Sequence, residues 1–220
     1  MFTHDTISSM LNQYIDHTNL KSTATLEDIT KLCQEAIKHN FYAVCINGNY
    51  LHHALALLGH TEVKIAVVAG FPLGSSTLNA KLNEISLLVD AGADEIDMVL
   101  NVGYIKSGLI KDIEAELAMS RVIAEDVCLK LILETCYLSD KEIVQACNIA
   151  MREGFDYIKT STGFGAAGAC LHHVHLMKNI VGDQVKIKAS GGIKDKHTAQ
   201  TYVDLGVSRI GTSNGIKIVS

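Results

Sequence analysis

The sequence lacks several features that mark common functional classes. Its formal net charge is −5, so it has no excess of Lys and Arg typical of a nucleic-acid-binding surface. Its longest apolar stretch, Ile65 to Leu73, is about half of a membrane span and contains Gly70 and Pro72. Residues 1–5 do not resemble the start of a secretory signal. We expect a protein that binds neither nucleic acid nor membrane.

Cysteine pairs are also missing. Six cysteines are present, but none forms a C-x-x-C pair, and several fall within helix or strand patterns. We interpret them as reduced thiols, which favours a cytoplasmic protein without a disulfide framework.

The length and composition suit one large hydrophobic core. The chain has 220 residues, of which 48% are hydrophobic, and no linker or low-complexity segment divides it. A single β/α barrel needs roughly 200–250 residues. We therefore expect residues 1–220 to form one domain, in which residues 1–12 are a short capping segment with a helix over Asp5–Leu11.

Strand-like and helix-like patterns alternate along the whole chain. The predicted strands begin about 20–35 residues apart, the size of one βα unit. They lie at Tyr14–His17, Ala43–Ile46, Lys64–Val68, Glu95–Val99, Lys130–Glu134, Tyr157–Thr160, Lys186–Ala189 and Arg209–Thr212. The intervening segments are predicted to be amphipathic helices.

The first long helix is predicted over Leu26–Asn40. Thr25 is its N-cap and Asp28 occupies the capping-box position. Three glycines are each expected to end a later helix: Gly92, Gly154 and Gly206.

Eight alternating units indicate the α/β class and a parallel sheet that closes into a (β/α)8 TIM barrel. The alternative is an open doubly wound sheet built from the same elements. No G-x-G-x-x-G follows the first strand, which favours the barrel.

Three ionisable side chains are predicted to converge inside the barrel. Alternate strand residues point to opposite faces, and the outward face must be apolar to pack on the helices. Ile158 and Ile187 suit that outward face, which directs Lys159, Lys188 and Asp97 inward, near the active-site ends of their strands. A purely structural Lys–Asp ion pair is the alternative interpretation.

This set of residues suits Schiff-base chemistry. An amine must be neutral to attack a carbonyl, and burial beside a second cation favours the neutral form. Lys159 is predicted to be the nucleophile, Lys188 the second cation, and Asp97 the group that transfers protons.

Glycine-rich loops follow the predicted seventh and eighth strands, where barrels often bind phosphate. Backbone N–H groups can approach an anion closely at glycine, and hydroxyl groups add donors. The predicted cradle comprises Gly191, Gly192, Gly211, Thr212 and Ser213, with a contribution from Thr160 to Gly163. Ordinary turns remain the alternative interpretation.

Other polar residues are less informative. His172, His173 and His175 are more typical of an exposed helix start than of a metal site. Glu134 is expected to end the fifth strand, facing inward, as the partner of a lysine or of substrate. Asp94 and Glu95 are expected to cap or to form ion pairs.

From about Tyr14 to Ile218, the chain resembles short bacterial deoxyribose-phosphate aldolases. Two segments carry the resemblance most specifically, namely K-T-S-T-G from Lys159 and K-A-S-G-G from Lys188. The others are Ile15–Thr18, Gly70–Gly74, Ala93–Val99, Glu134–Thr135 and Arg209–Ser213.

The resemblance implies reversible cleavage of 2-deoxy-D-ribose 5-phosphate to D-glyceraldehyde 3-phosphate and acetaldehyde, as in deoxyribose phosphate catabolism. It implies no metal and no organic cofactor, and a homodimer or higher homo-oligomer. It assigns the Schiff base to Lys159, the cation to Lys188 and proton transfer to Asp97. It also places Asp16, Thr18 and Cys45 beside the substrate.

The chain departs from the family pattern at several positions. Gly48 and Ser22 stand where proline is common, Asn19 replaces an apolar residue, and Asn214 replaces a serine in the phosphate loop. Residues 218–220 do not match the tyrosine-bearing tail of the long forms. Two alternatives stay open: another Schiff-base aldolase or transaldolase, and a non-catalytic sugar-phosphate-binding barrel.

Overall fold

A computed structural model describes residues 11–220 of the chain. Eight parallel strands form a closed barrel in the order of the sequence. The strands are β1 Ile15–Asn19, β2 Ala43–Asn47, β3 Lys64–Ala69, β4 Glu95–Val99, β5 Cys128–Ile132, β6 Tyr157–Lys159, β7 Lys186–Ser190 and β8 Arg209–Thr212. The (β/α)8 barrel prediction is confirmed, and the open sheet is excluded.

Helices surround the barrel and connect successive strands. They are α1 Leu26–Lys38, α2 Leu51–Leu58, α3 Leu78–Asp90, α4 Val102–Lys106, α5 Ile110–Ile123, α6 Asp140–Arg152, α7 Leu171–Val181, α8 Lys196–Asp204 and α9 Gly215–Val219. None of the helices in the described part of the chain is long and apolar enough to cross a membrane. The predicted helix over Asp5–Leu11 and most of the capping segment 1–12 lie outside the described residues; Asn12–Tyr14 is a 3-10 turn.

The predicted helix-end signals are confirmed. Thr25 and Asp28 form a reciprocal capping box at the start of α1. The three predicted glycines have the positive φ of helix-ending residues, at 90° for Gly92, 74° for Gly154 and 85° for Gly206. Helix α1 ends at Lys38 rather than Asn40, because Asn40 itself adopts a left-handed conformation with φ 50°.

Most apolar packing lies between the barrel and its helices. Ile96, Met98, Ile158 and Ile187 are buried in this layer, as the alternation of strand side chains predicts. A second, smaller apolar cluster of Leu20, Cys45, Ala66 and Val68, with Phe71 packed against it, is separate from this layer. Because the main apolar layer lies outside the barrel, inward-facing strand positions that are not part of this small cluster can hold polar side chains.

Strand β5 was predicted two residues too far along the chain. It ends at Ile132, and Glu134 lies beyond it in a left-handed conformation with φ 54°. The Glu134 carboxylate accepts a hydrogen bond from the Thr162 hydroxyl, and within residues 11–220 no lysine pairs with it. The lysine-pair expectation for Glu134 is wrong, because the turn after β5 directs its side chain toward the loop after β6.

Candidate active site

Lys159 and Lys188 lie side by side on adjacent strands, where the β6–β7 register pairs them. Both point into the barrel, and both ammonium nitrogens bond to the same oxygen of Asp97. The Lys159 Nζ to Asp97 Oδ2 distance is 2.8 Å, and the Lys188 Nζ distance to that oxygen is 2.7 Å. All three side chains are buried, with Lys159 the least so at 2% exposed. The predicted convergence of these residues is confirmed.

A wider ionic network lies beneath them. Lys130 on β5 donates to Asp97 Oδ1 at 2.8 Å and to Glu95 Oε2 at 2.6 Å. Arg209 on β8 donates to Asp16 Oδ1 at 2.7 Å, and its other arm reaches Glu95. Asp16 also forms an ion pair with Lys188. The expected pairing of Glu95 is confirmed, whereas Lys130 and Arg209 are site residues that the sequence analysis missed.

Opposite charges hold most of this network ionised. Burial raises the pKa of Asp97, but Lys130, Lys159 and Lys188 outweigh it and keep that pKa well below its usual range. Burial likewise opposes ionisation of Asp16, and Arg209 and Lys188 lower its pKa in spite of this. Burial lowers the pKa of Lys188, but Asp16 and Asp97 raise it above its ordinary value overall.

Three predicted substrate-contact residues do not line the pocket beside Lys159. Asp16 is fully buried in its ion pairs with Lys188 and Arg209. Cys45 is also buried, with its Sγ 4.0 Å from Asp97 Oδ2, and burial raises its pKa. The Thr160 hydroxyl donates to the Ser190 carbonyl at 3.1 Å. These three side chains support the site from behind, and direct substrate contact stays a prediction.

The pocket above Lys159 encloses about 220 Å³ and opens between the loops that follow β1, β6, β7 and β8. All five predicted cradle residues line it, together with Gly163 and with Thr18, which the sequence analysis placed near the substrate. These residues are Thr18, Gly163, Gly191, Gly192, Gly211, Thr212 and Ser213. A larger cleft of about 860 Å³ includes parts of α2 and α3 but no member of the ionic network.

Glycine is required at the loop that follows β7. Gly191 has φ 86° and Gly192 has φ 82°, a conformation that other residues rarely adopt. A side chain on Gly168 would collide with the Gly191 carbonyl, which lies 2.2 Å from the position of its Cβ. The close approach of these two loops shapes the wall of the pocket.

Several pocket residues were not singled out from the sequence. Lys21 and Lys194 line the pocket from the loops after β1 and β7. Phe164 borders the pocket and contacts Phe71 edge-on, with ring centroids 5.3 Å apart. Loop residues of this kind follow no periodic pattern, so only their proximity to the glycine motifs could have indicated them.

Histidine and acidic clusters do not suggest a metal site. Within residues 11–220, no group of three or more His, Cys, Asp or Glu side chains is arranged to hold a metal ion. His172 instead forms an exposed ion pair with Asp140 at 2.9 Å.

Comparisons with known proteins agree with this geometry. A model of the DeoC/LacD aldolase family matches residues 10–218. The deoxyribose-phosphate aldolase of Brevibacillus brevis is 47% identical over 210 residues, which cover 96% of this chain and 95% of the relative. Deoxyribose-phosphate aldolase 1 of Vibrio vulnificus is 44% identical, with 96% of each chain covered.

Solved structures give the same result. The aldolase QR15 superposes with a TM-score of 0.91 at 36% identity, over 96% of this chain and 94% of QR15. The tetrameric deoxyribose phosphate aldolase of Aeropyrum pernix superposes with a TM-score of 0.87 at 30% identity, over 96% of this chain and 90% of that one. By sequence and by structure, the chain belongs to the DeoC/LacD family of aldolases.

Proposed function

We propose that the protein is a class I aldolase that reversibly cleaves 2-deoxy-D-ribose 5-phosphate to D-glyceraldehyde 3-phosphate and acetaldehyde. The observation that carries this proposal is the Lys159 amine at the base of an open pocket, 2.8 Å from the Asp97 carboxylate. The names of the Brevibacillus and Vibrio relatives support the choice of substrate.

Lys159 acts as the nucleophile of the proposed reaction. Its neutral amine adds to the C1 aldehyde, and loss of water from the carbinolamine gives an iminium ion. The C3 hydroxyl then loses its proton, the C2–C3 bond breaks, and its electron pair moves toward the iminium nitrogen. This step releases D-glyceraldehyde 3-phosphate and leaves an enamine on Lys159.

Asp97 carries the protons of this cycle, directly or through a water, with Lys188 as its charged neighbour. Protonation of the enamine at C2 regenerates an iminium ion, and hydrolysis releases acetaldehyde and free Lys159. Asp97 lies within hydrogen-bond distance of both lysines, so one carboxylate serves both the nucleophile and the proton transfers.

The substrate phosphate is proposed to bind in the cradle formed by the loops after β7 and β8. Lys21 and Lys194, which line the same pocket, carry the opposite charge. Asp16, Cys45 and Thr160 lie behind the pocket lining, and they are proposed to support the side chains and loops that they contact, with direct substrate contact still a prediction.

Trapping of the Schiff base tests the proposed function. Acetaldehyde with borohydride is expected to add an ethyl group to the peptide that contains Lys159, because reduction makes the iminium bond permanent. Peptide mapping by mass spectrometry locates the label, and Lys31, an exposed lysine of α1, serves as an internal control. Ethylation mainly at sites other than Lys159 contradicts the assignment.

Two alternatives make different predictions. Another Schiff-base aldolase or a transaldolase would prefer a dihydroxyacetone-type donor over acetaldehyde, and donor competition distinguishes them. A non-catalytic barrel would bind the sugar phosphate without forming the trapped adduct. The intact set of Lys159, Lys188 and Asp97 favours catalysis.

The setting of the enzyme is also part of the proposal. We infer one domain over residues 1–220, because the barrel and the family match together span nearly all of the chain. The six free cysteines support a cytoplasmic location. A homodimer or higher homo-oligomer is proposed by analogy with the tetrameric Aeropyrum relative.

A further inference from the structure

The shared contact with Asp97 raises a question about the charge of Lys159. A neighbouring cation favours a neutral amine, but here a carboxylate lies between the two ammonium nitrogens and attracts both. Lys188 alone therefore does not account for an uncharged nucleophile. The other charged groups of the buried network also act on the Lys159 amine.

The network contains three carboxylates and four basic side chains. The carboxylates belong to Asp16, Glu95 and Asp97, and the bases are Lys130, Lys159, Lys188 and Arg209. Each carboxylate already has at least one partner among Lys130, Lys188 and Arg209. Three negative charges are balanced without any charge on Lys159.

Burial opposes ionisation of the thiol and phenol groups beside this network, and it raises the pKa of Cys128 at the start of β5 to about 12. Burial raises the pKa of Cys45 on β2 above its ordinary value, and it raises the pKa of Tyr157 on β6 to about 12. From strand β3, the smaller apolar cluster described above contains only Ala66 and Val68, neither of which is titratable. Glu134 beyond β5 accepts a hydrogen bond from Thr162, and the guanidinium carbon of Arg209 lies 3.6 Å from the centroid of the Tyr42 ring.

We propose that the lower layer of the network, Lys130 with Glu95 and Arg209, sets the charge of Lys159 by fixing the number of buried cations and carboxylates. In this arrangement Lys130 and Glu95 are positioning residues that never touch the substrate. Lys159 is the surplus base, and it is also the one member of the network that lines the open pocket. The balance leaves it uncharged and ready to attack an aldehyde.

The inference rests on the proposed aldolase function and predicts opposite effects of two substitutions. Lys130→Met removes one buried cation, so Lys159 becomes the third cation that the carboxylates require. The acid limb of the pH–rate profile is then expected to move up by about one to two pH units, with at least a tenfold loss of activity at pH 7. Glu95→Gln removes one carboxylate and is expected to move the acid limb down.

The double variant Lys130→Met/Glu95→Gln restores the balance of charge, so its acid limb is expected to return toward that of the wild type. A purely structural role does not predict this, because the double variant loses more contacts than either single variant. Lys64→Met is the matched control: Lys64 starts β3 and forms an exposed ion pair with Asp94 at 3.5 Å. It is expected to leave the profile unchanged.

The readout is the rate of acetaldehyde trapping at Lys159 with cyanoborohydride from pH 5 to 9, with thermal unfolding measured in parallel. If Lys130→Met does not fold, the isosteric Glu95→Gln variant still tests the direction of the shift. Single variants that shift the same way, or not at all, overturn the inference. Absence of a label on Lys159 in the wild type would instead overturn the proposed function.

Discussion

At the scale of single residues, the Lys188 ammonium group is predicted to matter for turnover more than for folding. Lys188→Leu removes one buried cation and leaves Asp97 with Lys130 and Lys159, so the carboxylates of the network then hold a charge on Lys159. We expect kcat at pH 7 to fall by about 10²–10⁴ and the acid limb of the pH–rate profile to move to higher pH. Lys186→Leu, two residues earlier on the exposed end of β7, is the matched control. An unchanged profile in Lys188→Leu would exclude the role.

The inward direction of the charged side chains was only partly predicted from the sequence. The inward direction of Lys159, Lys188 and Asp97 follows from the apolar residues that alternate with them. That rule also applies to Glu95, two residues before Asp97, and to Lys130 between Leu129 and Leu131. They could have been identified by extending the alternation to the lower layer of the barrel. The ion-pair partners of these two residues could not have been predicted, because strand register depends on the whole barrel.

At the scale of elements, the loops after β7 and β8 are predicted to recognise the substrate through its phosphate. Gly192 carries φ 82°, so Gly192→Ala strains this loop without adding or removing charge. We expect KM for deoxyribose 5-phosphate to rise by about tenfold or more, while kcat with unphosphorylated deoxyribose changes little. Gly182→Ala, at a φ of 54° beyond α7 and away from the pocket, controls for backbone strain alone.

Comparison of the two sugars in the wild type completes this test. The phosphate is expected to lower KM strongly, since the glycine loops and two lysines line its proposed site. Equal KM values for deoxyribose and its phosphate would argue against the cradle. The strands and most helix ends were predictable from periodicity and capping residues, but these loops were not, because motifs fix their composition and only the assembled barrel fixes their shape.

At the scale of the whole molecule, the buried charges and thiols are predicted to limit stability at both ends of the pH range. The lowered pKa values of Asp16 and Asp97 stabilise the fold above about pH 4, the ordinary carboxyl range, and this contribution is lost as pH falls through the folded-state values. The free energy of unfolding should therefore decrease progressively as pH falls below about 4.

The alkaline limit comes from groups whose folded-state pKa is raised. Burial raises the pKa of Cys147 to about 12. Burial lowers the pKa of Lys130, but Asp97 and Glu95 outweigh it and hold that pKa well above its usual value. An unfolded chain loses these protons from about pH 8.5 for thiols and 10.4 for lysines, while the folded chain retains them, so stability falls as pH rises through this window. Urea unfolding from pH 3 to 11 measures both limits. Because the network is buried, 0.5 M salt should shift these two pH limits little. A constant free energy of unfolding between pH 8.5 and 11 would contradict the predicted alkaline limit.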